Sequence, residues 1–324
     1  MNGKKKADDL RKEGLRVGTS DGQTVSIDGK ELRLTHLSKV LWPKKGLRKA
    51  DYLKYVYEVS AYMLPFLRGR ALTLLRYPDG ADGEAFYQKN CPDYAPDFIQ
   101  TVRIGDVNYI VGDGLPTLMW LANQLAFEIH VPFQTADLIR PSEIVLDLDP
   151  PSRAEFALAV RAALMIKSIL DRFRLASFVK TSGNKGLQVY IPLPDDVFTY
   201  EETRTFTAFL ARYLTESEPG LFTTERLKKN RGRRLYIDIV QHAEGKTIIA
   251  PYAVRGNADA LVATPLYWEE VTPGLRPEQF PLDQIPKRLA ANGCPFSSFF
   301  EAKASQPFRQ VMDTLKQQQK GASI

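Results

Sequence analysis

The stretch EIVLDLDPP, residues 143–151, decides how the rest of the chain is read. Ile144, Val145, Leu146 and Leu148 are the residues of a short buried strand, and Pro150-Pro151 cannot continue one. Residues i and i+2 of a strand project to one face, so Asp147 and Asp149 emerge together at its end. Two carboxylates this close repel, more so when buried, and a divalent cation removes the penalty. Mg²⁺ and Mn²⁺ are the ions that favour carboxylate oxygens. The same pair also reads as turn or N-cap aspartates, because a helix follows. Ser152 and Glu155 have capping-box spacing, and Phe156, Ala159, Val160, Ala163, Leu164, Lys167 and Leu170 share one helical face.

Toward the C-terminus, residues 176–181 (ASFVKT) and 187–193 (LQVYIPL) read as strands. Between them lies Ser182-Gly183-Asn184-Lys185-Gly186. Its glycines let a backbone approach an anion, and Ser182 and Lys185 can donate to phosphate oxygens. A Gly-rich turn with an exposed lysine has the same composition. The G-x-x-x-x-G-K-[ST] pattern of a Walker A loop is absent. A helix is expected over about 200–214, then the basic loop ERLKKNRGRR (225–234), then a strand at 234–240 (RLYIDIV). An acid inside that strand, Asp238, needs a partner. Arg234 or Arg255 would serve, and so would a metal shared with Asp147 and Asp149. Three carboxylates make a two-metal site plausible, one ion serving the attacking oxygen and the other the leaving group. Another strand is expected at 246–250. The remainder is Pro-rich, with short helices at most, and is polar and Gln/Lys-rich after about residue 312.

Toward the N-terminus, residues 25–34 read as a hairpin turning at Asp28-Gly29. Leu53, Val56, Tyr57, Ser60, Leu64 and Leu67 mark a helix. Lys39, Lys44, Lys45, Arg48 and Lys49 lie just before it or at its start without one acid among them, which describes a solvated surface or a phosphate site. Residues 70–77 (RALTLLRY) read as a strand, and 115–129 as one buried helix that ends at His130 and is closed by Pro132. His130 in that place reads first as a structural histidine. Arg76, Phe86, Tyr87 and Lys89 combine cations with aromatics, the pairing that binds nucleic-acid backbone and bases. Strands and helices mix without a regular βαβ repeat, so the fold class is α+β. Three segments follow: a mobile basic tail over 1–24, one domain over 25–300, and a polar tail over 301–324.

The 324 residues are 44% hydrophobic, 10% aromatic and 25% charged, which excludes a disordered chain, a collagen and a disulfide scaffold. Lys+Arg 44 against Asp+Glu 38 gives a net charge of +6, which permits an anionic partner without requiring one. Two distant cysteines, Cys91 and Cys294, and three histidines make a structural zinc unlikely, so any metal should be held by oxygen. No apolar run is long enough to span a membrane. The N-terminus has basic residues but no apolar core of a secretory signal. A cytoplasmic protein is the default expectation.

Together and in order, HLSKVLWPKKGLRKADYLKYV, RYPDGADGEAFYQKN, LAFEIHVP, EIVLDLDP, TSGNKGLQVYIPL and RLYIDIVQHAEGKTIIAPYAVRG closely resemble the polymerase/primase domain of bacterial DNA ligase D, within the archaeo-eukaryotic primase superfamily. These stretches span residues 36–256, and the family domain would cover about 30–300. The resemblance implies a primase-like catalytic core of mixed and antiparallel sheets flanked by helices. It implies nucleotide addition at broken DNA ends in non-homologous end joining, with Ku and a DNA ligase as partners, ribonucleotides often preferred, and Mn²⁺ or Mg²⁺ as cofactor. Asp147, Asp149 and Asp238 fall on the metal-binding carboxylates. His130, Ser182, Lys185, Gln241 and Arg255 fall on contacts to the incoming nucleotide, and Gln188 is grouped with them. Phe86 and Tyr87 fall near the template base, with Arg76 and Lys89 as further DNA contacts. Lys39 and Lys49 fall on a pocket for a 5′-phosphate, and Arg231 on a position that orders the site. The primer 3′-hydroxyl is the nucleophile, which agrees with the absence of a Ser-His-Asp or Cys-His arrangement. A monomer associated with the bacterial nucleoid is expected.

Two departures stand out. Gln188 occupies a position where many members have His, and Gln cannot carry charge. His36 stands where some relatives have Asn. Two other functions fit the same residues: a primase that starts chains without a primer, and a catalytically weak scaffold that binds DNA ends. Activity on single-stranded template without a 3′-hydroxyl separates the first from a repair polymerase. Failure to make product with any divalent ion would favour the second.

Overall fold

The structure, a computed structural model, describes residues 21–321. It opens on a hairpin of β1 (Gly22–Ile27) and β2 (Lys30–Thr35), whose turn residues Asp28 and Gly29 both have positive φ, as a two-residue hairpin loop requires. Most of the expected N-terminal tail lies outside the described residues, and its last positions, from Gly22, belong to β1. A small ladder of β3 (Val40–Trp42) and β4 (Leu47–Arg48) leads into α1 (Lys49–Leu67). Leu53, Val56, Val59, Met63 and Leu67 form its buried face.

The next elements are β5 (Thr73–Arg76), β6 (Phe86–Gln88), a second hairpin of β7 (Thr101–Ile104) and β8 (Val107–Ile110), α2 (Leu115–Asn123) and β9 (Ala126–Pro132). Here the structure corrects the reading of 115–129 as one helix. The helix stops at Asn123, Leu125 takes a left-handed φ of 60°, and the chain continues as a strand. A short apolar run does not distinguish a buried helix from a buried strand by periodicity. The choice is made by pairing, since β9 is hydrogen-bonded on both edges.

Then come β10 (Glu143–Asp149), α3 (Phe156–Arg172), β11 (Phe178–Thr181), β12 (Leu187–Pro192), α4 (Tyr200–Ser217), β13 (Phe222–Thr223), the single turn α5 (Lys228–Arg231), β14 (Leu235–Asp238), β15 (Thr247–Ile249) and β16 (Pro265–Leu266). The last helices are α6 (Ile285–Asn292), α7 (Phe299–Ser305) and α8 (Phe308–Gly321). Strand β14 is shorter than the expected 234–240, because the Asp238 carboxylate accepts from the Val240 and Gln241 amides and turns the chain. The polar segment after residue 300, expected as a tail, is largely helical. Phe308, Val311, Met312 and Leu315 of α8 are buried, and the Phe308 ring meets Phe198 and Phe206 edge-on.

Two sheets organise the molecule. The larger has the order β13-β14-β10-β12-β11-β16, antiparallel except for the β13–β14 pair. The smaller has the order β15-β9-β5-β6 and is antiparallel. Helices α3 and α4 pack against β10. This is the α+β arrangement of sheets flanked by helices that was expected. A buried ion pair ties the sheets together: Arg70, just before β5, donates to the Glu143 carboxylate of β10 and to the Pro132 carbonyl of β9. Among the described residues no helix is long and apolar enough to cross a membrane.

Candidate active site

Strand β10 delivers its two aspartates to the middle of the larger sheet. Asp147 lies directly across from Asp238 of β14 on one side and from Gln188 of β12 on the other. Asp149 lies across from Tyr236. Directly opposed residues share a face, so the three carboxylates project together. Gly186 must be glycine here, because a Cβ would sit 2.3 Å from the Leu148 carbonyl oxygen. The Asp147 side chain is half-buried, and among the described residues the side chain that donates to it is Gln188, from Nε2 at 3.0 Å. Burial, with the charges of Asp149 and Asp238, pushes Asp147 up to about 6 against the pull of that hydrogen bond and of Arg255. Gln188, expected among the nucleotide contacts, is itself buried and turned to Asp147.

The other two carboxylates are engaged with neighbours. Lys185 Nζ is 3.0 Å from Asp149 Oδ1, and Arg231 Nη1 is 3.9 Å from Oδ2. The Arg231 guanidinium also covers the Tyr236 ring at 3.7 Å. Asp238 Oδ1 accepts from the Tyr236 hydroxyl at 3.1 Å. Among the described residues no three acidic, histidine or cysteine side chains already converge at metal-holding spacing. The donor set nevertheless fits a hard divalent cation. It offers only carboxylate oxygens, those of Asp147 half-buried beside two like charges.

The smaller sheet faces this row with a second polar group. Glu128 and His130 are two apart on β9 and share a face, with His130 Nε2 3.0 Å from Glu128 Oε2. The same carboxylate accepts from Arg255 Nη1 at 2.5 Å, the Tyr77 hydroxyl at 3.0 Å and the Gly256 amide at 3.2 Å. Arg255 also donates from Nε to the Ser182 carbonyl at 3.1 Å, so one guanidinium bridges the two sheets. Gly256 packs under Tyr77, whose ring atoms a Cβ would meet at 1.9 Å. Burial raises the Glu128 carboxyl, but the His130 hydrogen bond and the Arg255 charge outweigh it and bring it down to about 2. Burial holds the His130 imidazole below its ordinary value.

Sequence reading missed Glu128. The signal was present as E-x-H in LAFEIHVP, but in a helix that ends at His130 residues i and i+2 do not share a face, whereas in a strand they do. A depressed carboxyl stabilises the fold above its unfolded value near 4.5, and that contribution is lost as pH falls toward 2. Glu128→Gln should therefore lower unfolding stability by about 2 kcal/mol at pH 7. In urea titrations the gap should close below about pH 4. A constant gap across that range would place its stabilising role in packing instead.

In the turn after β11, Gly183 has φ 72° and lies against Arg255 and Ala263, where no side chain fits. Ser182 Oγ accepts from the Gly186 amide at 3.1 Å and the Asn184 amide at 3.3 Å, and Lys185 Nζ donates to the Pro150 carbonyl at 2.8 Å. Gln241 donates to the Thr247 carbonyl at 2.5 Å.

The third cluster lies at the start of α1. A cavity of about 290 Å³ is lined by Thr35, His36, Lys39, Lys49 and Arg76 among others. Of the five cations preceding or opening the helix, Lys44 pairs with Asp259, and Lys39 reaches the Pro78 carbonyl and Asp79. Lys49 is 2% exposed, and the one side-chain hydrogen bond of its amine among the described residues is a 3.5 Å contact to Thr35 Oγ1. It is the first residue of α1, where the helix dipole opposes a cation and welcomes an anion. Burial, with Lys39 and Arg76, lowers its amine to about 8 against the pull of Asp21. Arg76 is held by Gln88 and Gln124 and lies 5.3 Å from the Phe86 ring centre. Phe86 and Tyr87 are 45% and 70% exposed. Tyr87, Lys89 and Thr73 line a larger cavity of about 600 Å³, and Thr73 is the cross-strand neighbour of His130.

Residues 48–296 match the family model described as LigD, primase-polymerase domain. The bifunctional non-homologous end joining protein LigD of Bacillus subtilis (strain 168) is 52% identical over 286 residues, covering 88% of this chain and 47% of its own length. The multifunctional non-homologous end joining DNA repair protein LigD of Mycobacterium tuberculosis is 32% identical over 283 residues, covering 83% and 37%. The chain thus spans about half or less of the curated relatives it matches. A solved structure of the polymerase domain from Mycobacterium tuberculosis Ligase D in complex with DNA superposes with a TM-score of 0.77 at 32% identity, over 85% of this chain and 99% of that one.

Proposed function

The chain belongs to the LigD primase-polymerase family, and from that premise we propose that it is a nucleotidyltransferase of non-homologous end joining that adds nucleotides to 3′-hydroxyl ends at DNA breaks and gaps. The observation that carries the reading is the opposition of Asp147 and Asp238 across β10 and β14, with Asp149 beside them. In the proposed reaction the primer 3′-oxygen bonds to the α-phosphorus of the nucleotide, the bond to pyrophosphate breaks, and the hydroxyl proton passes to solvent water. Asp147, Asp149 and Asp238 would hold Mn²⁺ or Mg²⁺, which when bound supplies positive charge at the attacking oxygen and the leaving group. Lys185 and Arg255 add fixed positive charge beside the developing anion. His130, Ser182 and Gln241 would contact the incoming nucleotide, and Arg231 would order the site through Asp149.

Lys39 and Lys49, with Arg76 and His36 beside them, would seat a 5′-phosphate at a gap or recessed end. That preference is supported by a buried lysine at a helix start that forms no ion pair within 4 Å among the described residues. Phe86, Tyr87 and Lys89 would lie along the template. The working domain is taken as about 25–300, acting in the cytoplasm with Ku and a DNA ligase as partners and with ribonucleotides preferred.

The test is primer extension on a gapped duplex carrying a 5′-phosphate or a 5′-hydroxyl, with NTPs or dNTPs and Mn²⁺ or Mg²⁺. Extension stimulated by the phosphate, and stronger with NTPs, is expected. Product from single-stranded template without a 3′-hydroxyl would favour a primase. No product under any condition, with DNA ends still bound, would leave an end-binding scaffold.

A further inference from the structure

Behind Asp147 the larger sheet carries a continuous polar row. Register places Asp238 against Asp147, Asp147 against Gln188 and Gln188 against Lys180, so all four project from adjacent strands on one face. Lys180 is fully buried. Its Nζ donates to the Thr181 carbonyl at 3.3 Å and lies 5.9 Å from the Tyr190 ring centre, and no carboxylate bonds to it among the described residues. The Gln188 Oε1 and the Tyr190 hydroxyl next to it are buried without a hydrogen-bond partner. Buried polar atoms left unpaired cost stability, so a lysine, a glutamine and a tyrosine grouped this way need a reason that packing does not supply.

The reason lies in the asymmetry of an amide. Gln188 has one end that donates and one that accepts, and only the donating end suits the Asp147 carboxylate. Lysine has donors and no acceptor, so it suits only the accepting end. With Asp147 on one side and the Lys180 charge on the other strand, the amide has one favourable orientation, although its Oε1 takes no hydrogen bond from Lys180. We propose that Lys180 is a positioning residue that, through Gln188, holds the Asp147 carboxylate ready for a divalent cation. The inference rests on the proposed role of Asp147. It assigns Lys180 no contact with substrate.

The experiment measures Mn²⁺ binding by titration calorimetry in the wild type, Lys180→Met, Gln188→Leu and the double variant, with melting temperatures and gap-filling rates alongside. Each single variant should weaken Mn²⁺ binding about five- to tenfold, with melting unchanged or raised. The double variant should be no weaker than either single, because both remove one relay. Lys180→Gln, which keeps an N–H donor, should recover most of the affinity. Wild-type Mn²⁺ affinity in Lys180→Met would overturn the proposal. So would losses that multiply in the double variant, since Lys180 would then act on the site without Gln188. If Asp147→Asn binds Mn²⁺ as tightly as the wild type, the reading of Asp147 fails, and this inference with it.

Discussion

Nucleotide addition should fall by about a thousandfold in Asp147→Asn while affinity for a gapped duplex stays within about twofold. The substitution keeps the shape of the side chain and an oxygen for the Gln188 amide, but removes the charge that faces Asp238. Single-turnover extension with saturating Mn²⁺ reads the chemical step, and fluorescence anisotropy reads end binding. Stability should move the opposite way. A carboxyl raised to about 6 in the folded state favours the fold while it stays protonated, and that advantage is lost as pH rises through 6. At pH 7 the metal-free wild type therefore bears the cost of an ionised, half-buried aspartate, at most about 3 kcal/mol. Asp147→Asn escapes that cost and should melt higher. A variant that kept a tenth of the activity would remove Asp147 from the chemistry.

The second large effect is expected at Lys49. Lys49→Met should abolish most of the advantage that a 5′-phosphate confers, about a hundredfold, because it withdraws a buried charge from a buried anion site. Extension on the 5′-hydroxyl duplex should change little. The same variant should be more stable than the wild type below pH 8. Its lowered amine means that the folded state resists protonation, so the wild type loses stability as pH falls through about 8. The ceiling is about 3 kcal/mol, closing as pH rises toward 10.5. A phosphate monoester becomes fully dianionic above about pH 6. The phosphate advantage in the wild type should therefore peak between about pH 6 and 8. A phosphate advantage that survives in Lys49→Met would move the anion site elsewhere.

Much of this was legible in the sequence, for identifiable reasons. The strand at 143–149 is apolar, short and ended by two prolines, so nothing competed with the reading, and the i, i+2 rule placed both aspartates on one face. The hairpin at Asp28-Gly29 and the helix at 156 carried their own turn and cap signals. Failure came where local signals were silent. Residues 115–132 are mostly apolar, and only pairing with β5 and β15 divides them into helix and strand. Glu128 vanished from the candidate residues with that division. Helix α8 was obscured by its polar outer face, and its docking depends on Phe198 and Phe206, far away in sequence. Gln188 was grouped with the nucleotide because the family comparison placed it near one. Its partner became visible only through register, which no single strand specifies.

Strand β14 meets β10 over three residue pairs, and its other neighbour, β13, is only two residues long. Asp238 therefore sits on the thinnest margin of the sheet, while Asp147 is anchored over six pairs with β12. The repulsion between the two aspartates falls on that weak seam. Fraying of the margin would separate them and expose Leu235 and Ile237, which are buried in the core. Any cation shared by the two side chains would act as a clasp on the seam, so that loading the site and closing the sheet become one event.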